Sequence, residues 1–160
     1  MRVVFMGTPD IAATCLKRIL ADGFEVVGVY TQPDRPKGRG MKLTASPTKQ
    51  VALEAGIPVF QPESFREEET VEQLRALDID LVVLAGFMVI LTGEMVRAFP
   101  NAILNVHPAL IPSFAGPGCY GLHVHEKALE YGVKLSGATV HFVSEECDGG
   151  PIVLQKAVAV

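Results

Sequence analysis

Asn105 and His107 are the residues whose types and spacing best suit chemistry. They stand two apart at the end of a short apolar run, Ile103 to Val106, so on a strand both side chains point to one face. Pro108 follows and stops the strand there. Transfer of an acyl group to an amine needs a donor for the tetrahedral oxyanion and a group that takes a proton from the attacking nitrogen. A carboxamide beside an imidazole can supply both. Asp148, in the turn Asp148-Gly149-Gly150, offers a carboxylate. Close to the imidazole it would fix the ring's orientation and raise its pKa. Asn105, His107 and Asp148 are the candidate catalytic set, although a strand-end histidine taken alone is more often structural.

Other polar clusters carry less. Cys15, Cys119 and Cys147 form no C-x-x-C pair, and no metal site is expected. His123 and His125 lie two apart at a helix start and do not share a helical face. His141, inside the apolar Thr139-Val140-His141-Phe142, reads as a hydrogen-bonded structural histidine. The segment 34–42 holds Arg35, Lys37, Arg39 and Lys42 against the single Asp34. It lacks the spacing of a phosphate-binding P-loop. It is either a solvated loop or a contact to a phosphate-bearing acceptor such as RNA. No G-x-G-x-x-G follows the first strand, so a dinucleotide site is not expected.

The elements that must position these residues alternate strand and helix, the pattern of an α/β domain. Val3 to Met6 reads as a buried strand. Thr8 suits an N-cap, Pro9 a first helical position and Asp10 the helix dipole. Ala12, Cys15, Leu16, Ile19 and Leu20 recur at helical spacing, and Gly23 ends that helix. Val26 to Val29 completes a parallel, right-handed β-α-β unit. A long polar loop, 32–44, leads to a second capped helix at Ser46-Pro47, closed by Gly56. Strands are expected at Ile57 to Phe60, Leu81 to Leu84 and Ile103 to Val106, with helices at Glu63 to Leu77 and Glu94 to Ala98. After a Pro/Gly-rich loop, 108–121, comes a helix from Leu122 to Tyr131, stopped by Gly132. Two final strands, near 134–143 and 152–158, are expected to pair antiparallel. Open α/β sheets bind ligands at the carboxyl ends of their strands, where Asn105 and His107 lie.

The bulk numbers agree with one globular domain. The chain has 160 residues, 49% hydrophobic and 20% charged, enough to bury a core. A net charge of -4 speaks against indiscriminate nucleic-acid binding but leaves room for a local basic patch. The longest apolar run, 81–91, is broken by Gly86 and too short to span a bilayer. A cytoplasmic protein with no membrane partner is the expectation.

Asn105-Val106-His107-Pro108 with the later Asp148-Gly149-Gly150-Pro151 resembles the folate-dependent formyltransferases. Residues 1 to about 80 resemble the methionyl-tRNA branch, through Phe5-Met6-Gly7-Thr8-Pro9-Asp10, Thr31-Gln32-Pro33-Asp34-Arg35-Pro36 and Pro58-Val59-Phe60-Gln61-Pro62. From about Leu84 the chain resembles the glycinamide ribonucleotide branch of purine synthesis. The carriers there are Leu84-Ala85-Gly86-Phe87-Met88, Ile103 to Phe114, and the segments 121–126, 137–143 and 150–155. The resemblance implies a doubly wound, mostly parallel, Rossmann-like α/β domain over residues 1–160, without the C-terminal part of either branch. It implies catalysis by Asn105, His107 and Asp148 with 10-formyltetrahydrofolate as donor. Donor contacts would come from Met88, Val89, Ile90 and Leu91 and from Ser144, Glu145 and Cys147. Acceptor contacts would come from Gly7, Thr8, Arg35, Arg39 and Pro108. Glycinamide ribonucleotide is the favoured acceptor, methionyl-tRNA the alternative through the basic segment, and a silent folate-binding module the third reading. The apolar ending of the chain also implies possible self-association.

Overall fold

The computed structural model describes residues 1–37, 40–91 and 93–160; the side chain of Lys37 is likewise outside the description. The chain divides into two compact units, 1–87 and 88–160.

The first unit is built on β1 (Arg2–Met6), α1 (Asp10–Ala21) and β2 (Glu25–Tyr30), the β-α-β pattern read from the sequence. The hairpin strands β3 (Arg35–Lys37) and β4 (Lys42–Thr44) come next, then α2 (Pro47–Glu54) and β5 (Val59–Phe60). Helix α3 (Glu67–Ala76) and strand β6 (Leu81–Ala85) complete it. The strands run β5-β2-β1-β6, all parallel. Val3, Val4, Phe5 and Met6 of β1 are buried in succession, as a central parallel strand requires. Leu16 of α1 and Leu74 of α3 are buried with them.

Three expectations need correction in this unit. Thr8 does not cap α1: Pro9 occupies the N-cap, and the Thr8 hydroxyl instead accepts from the backbone N–H of Gln32 at 3.2 Å. The polar stretch 32–44 is not all loop but contains the antiparallel β3–β4 pair. Helix α3 starts at Glu67 rather than Glu63. Ser46 does cap α2, accepting from the N–H of Lys49 at 3.0 Å.

The second unit holds α4 (Gly93–Ala98), β7 (Ile103–His107), α5 (Leu122–Tyr131), β8 (Leu135–Phe142) and β9 (Ile152–Ala159). Strand β8 pairs antiparallel with both β7 and β9. Helix α5 ends on Gly132 at φ 79°, the left-handed C-terminal position that glycine tolerates. All eight residues of β9 are exposed, among them Ile152, Val153, Leu154 and Val158. Among the described residues, no helix is long and apolar enough to cross a membrane.

Candidate active site

Strand β7 carries the first two site residues, and its register with β8 brings in a third. Asn105 lies opposite His141, and His107 opposite Thr139. Directly opposed residues of an antiparallel pair share a face, so Asn105, His107, Thr139 and His141 form one polar patch on a mostly apolar pair of strands. The amide nitrogen of Asn105 donates to Nε2 of His141 at 3.1 Å, while Nδ1 of His141 donates to the Phe142 carbonyl at 3.0 Å. Both His141 nitrogens are thereby occupied, with the hydrogen on Nδ1.

His107 is 3% exposed. Its Nε2 donates to the Phe114 carbonyl at 2.8 Å, so its Nδ1 is the nitrogen turned to the carboxylate. That nitrogen lies 3.6 Å from Oδ2 of Asp148. The separation is too long for a hydrogen bond, so the carboxylate stands beside the ring without bonding to it. Oδ1 of Asp148 lies 3.8 Å from Nε2 of His141. The carboxylate thus sits between the two imidazoles, and the backbone N–H of Gly116 holds its Oδ2 at 2.9 Å.

Two backbone features aim these groups. Phe114 stands at φ 51° and Asp148 at φ 54°. An aspartate adopts the left-handed region with little strain, whereas a phenylalanine there is an outlier of the kind found at functional loops. At Gly150 an added Cβ would run into the carbonyl oxygen of Phe142, so only glycine lets the 148–150 turn fold this closely against the end of β8. The segment after His107 is fixed by Thr139, fully buried, whose hydroxyl donates to the Ala109 carbonyl at 2.6 Å and accepts from the Ile111 N–H at 3.1 Å. Gln155 donates to the Ile111 carbonyl at 2.9 Å. Replacing Thr139 by Val keeps the volume but leaves these backbone groups without their partner. A stability loss of about 1–3 kcal/mol is expected, read as a lower melting temperature.

The expected donor residues are also brought into view. Met88, Val89 and Ile90 are exposed apolar side chains in succession, whereas Leu91 is 5% exposed and belongs to the core. Glu145 pairs with Arg97 at 2.7 Å, and its carboxylate lies against Gly93, so the turn 144–147 and the stretch after Leu91 are neighbours. Ser144 donates to the Glu146 carbonyl at 3.1 Å. Burial pushes the thiol of Cys147 up, and the Asp148 carboxylate adds to that, which makes it a poor nucleophile.

The expected acceptor residues belong to both units. Gly7 and Thr8 have structural work within the first unit: an added Cβ at Gly7 would strike the Ala85 carbonyl, and Thr8 is engaged with Gln32. Arg35 is exposed on β3, and Arg39 lies outside the described residues. Pro108 begins the Thr139-braced segment. Sequence reasoning missed the parts played by His141, Gly116 and the Phe114 carbonyl. Among the described residues, no group of three His, Cys, Asp or Glu could hold a metal ion.

The chain is similar to known proteins over its whole length. The formyl transferase family model matches residues 1–160. A methionyl-tRNA formyltransferase of Kosmotoga olearia is 41% identical over 160 residues, covering 100% of this chain and 50% of the relative. The chain therefore spans about half the length of the curated relatives it matches. The crystal structure of glycinamide ribonucleotide transformylase 1 from Symbiobacterium toebii is similar with TM-score 0.79 and 33% identity, over 100% of this chain and 74% of that one. A formyltetrahydrofolate deformylase from Pseudomonas syringae pv. tomato is similar with TM-score 0.77 and 28% identity, over 99% of this chain and 51% of that one.

Proposed function

The chain belongs to the formyl transferase family, and from that premise we propose that it moves a formyl group from 10-formyltetrahydrofolate to the amine of methionyl-tRNA. The observation that carries the chemistry is the cluster of Asn105 and Asp148 around the buried imidazoles of His107 and His141. The acceptor amine attacks the formyl carbon, and the carbonyl electrons move to oxygen. Asn105 and His107 turn their N–H groups from His141 and Phe114 to that oxyanion. The amine proton passes through His107 to the folate nitrogen as the carbon–nitrogen bond to the donor breaks. Asp148 faces the ring nitrogen Nδ1 across 3.6 Å and orients the imidazole for this relay.

The donor is best accommodated on Met88, Val89 and Ile90, whose exposed apolar side chains suit a flat ring system. Ile90 is 73% exposed, so Ile90→Asp should leave the fold intact and weaken folate binding at least about tenfold by placing a carboxylate where the ring must desolvate it. Val89→Ala should cost little. Fluorescence titration with a folate analogue checks both. Leu91→Asp would instead disrupt the core and tests nothing about the donor.

For the acceptor, the preference read from the sequence is reversed. Glycinamide ribonucleotide ranked first on the likeness of residues 84–160, but the likeness to a methionyl-tRNA formyltransferase runs over the whole chain at 41% identity. The exposed Arg35 and Lys42 of the β3–β4 hairpin support the same acceptor, and Asp34, next to Arg35, is paired with Lys49 at 2.7 Å. Neutralising Arg35, Lys37, Arg39 and Lys42 together should raise KM for methionyl-tRNA and flatten its salt dependence, leaving kcat nearly unchanged. An unaltered salt slope would remove the basic hairpin from acceptor binding.

A further inference from the structure

In the first unit a cavity of about 330 Å³ opens at the carboxyl ends of β2 and β5, the end of a parallel sheet where ligands bind. Its inner wall is aromatic: Tyr30 and Phe60 stack with ring centroids 4.7 Å apart and planes 18° from parallel. Tyr30 is buried and Phe60 is partly exposed, so Phe60 is the ring that meets solvent. The rim is polar. The Tyr30 hydroxyl donates to Oε1 of Gln73 at 2.6 Å, and burial together with Glu69 pushes its pKa up to about 12, so the donor stays protonated. That bond turns the Gln73 amide N–H₂ away from Tyr30, beside the Glu69 carboxylate at 3.5 Å, a distance that leaves both groups open to better partners. Gln61 spends its amide nitrogen on the Gln32 carbonyl at 2.9 Å and on Asp34 at 2.8 Å. Its carbonyl oxygen and the Arg66 guanidinium have no partner among the described residues.

These features suit one kind of ligand. A flat ring face, an amide donor and a carboxylate acceptor side by side match the hydrogen-bonding edge of a nucleobase. The charges of Arg66 and Glu69 cancel, which disfavours a bare phosphate in the cavity. The volume, at the small end of ligand pockets, holds one base and part of its sugar and not a dinucleotide. Gln61 also ties the cavity wall to Asp34, where the basic hairpin begins, so phosphates flanking a bound base would run toward Arg35 and Lys42. We propose that the cavity between Phe60, Gln73 and Glu69 takes an unpaired nucleobase of an RNA acceptor whose backbone lies along the β3–β4 hairpin. The inference rests on methionyl-tRNA as acceptor and adds a base-binding site to it.

The test uses the 160-residue chain, a short single-stranded RNA with one 2-aminopurine, free 2-aminopurine riboside, and methionyl-tRNA. Stacking on Phe60 quenches 2-aminopurine. Phe60→Leu keeps the packing volume but loses the flat face, and Glu69→Gln changes one exposed side chain that cannot threaten folding. Quenching of the RNA probe is expected in the wild type, with affinity reduced about tenfold in each variant. KM for methionyl-tRNA should rise by a similar factor at unchanged kcat. If methionyl-tRNA is formylated while the probe is not quenched and both variants keep their KM, the base site is wrong and the acceptor reading survives. Quenching that both variants lose, without formylation of methionyl-tRNA, leaves the base site standing and sinks the acceptor reading. Quenching of the free riboside alone would overturn the assignment to RNA.

Discussion

Replacing His107 by Ala is expected to lower formyl transfer at least about 10²-fold, the usual loss when an oxyanion donor is removed. His107 is almost fully buried and has one nitrogen on the Phe114 carbonyl and the other turned to Asp148. Loss of the ring removes the proton relay as well as the donor, so the fall belongs in kcat rather than KM. Some stability should be lost too, because the Phe114 carbonyl is left without its partner. Rates are therefore compared at a temperature where melting curves show both proteins folded. Folate affinity in the variant should be near that of the wild type.

Asp148→Asn should have an effect of similar size with less structural cost. The amide oxygen can still accept from the Gly116 N–H, which the carboxylate now does at 2.9 Å, so the turn keeps its anchor. What disappears is the negative charge beside Nδ1 of His107. A fall of about 10² or more in kcat is expected, with an unchanged melting temperature. Asp148→Ala should add a loss of stability, since it removes the anchor as well. The double variant His107→Ala/Asp148→Asn should be scarcely slower than His107→Ala alone, because the two groups act as one unit. Multiplicative losses would mean that Asp148 acts on something other than the imidazole.

The sequence made strand β7 legible for local reasons. The two-residue spacing of Asn105 and His107 fixes a shared face once the strand is recognised, and Pro108 marks its end. Helix α5 was equally plain, since Gly132 closes its periodic run. The β3–β4 hairpin was not, because three-residue strands rich in exposed residues carry no alternation of apolar and polar side chains. Thr8 misled because a residue that caps helices well was taken by a tertiary hydrogen bond to Gln32. The apolar run around His141 predicts a hydrogen-bonded structural histidine. It is hydrogen-bonded, but its closeness to Asn105 and Asp148 follows from the β7–β8 register, a non-local quantity. Pairing the two strands so that Thr139 meets His107 would have exposed it. The Phe114 carbonyl and the Gly116 N–H are main-chain groups, whose presence in a site depends on loop shape and not on residue type.

The most direct test of formyl transfer supplies 10-formyltetrahydrofolate labelled on the formyl carbon. The wild type and His107→Ala are each given methionyl-tRNA or glycinamide ribonucleotide, and label on the acceptor amine is counted against release of tetrahydrofolate. The expected result is stoichiometric transfer to methionyl-tRNA by the wild type, little to the ribonucleotide, and a loss of at least about 10²-fold in the variant. Label reaching neither acceptor while a folded chain binds the folate, or transfer that His107→Ala leaves near normal, would contradict it.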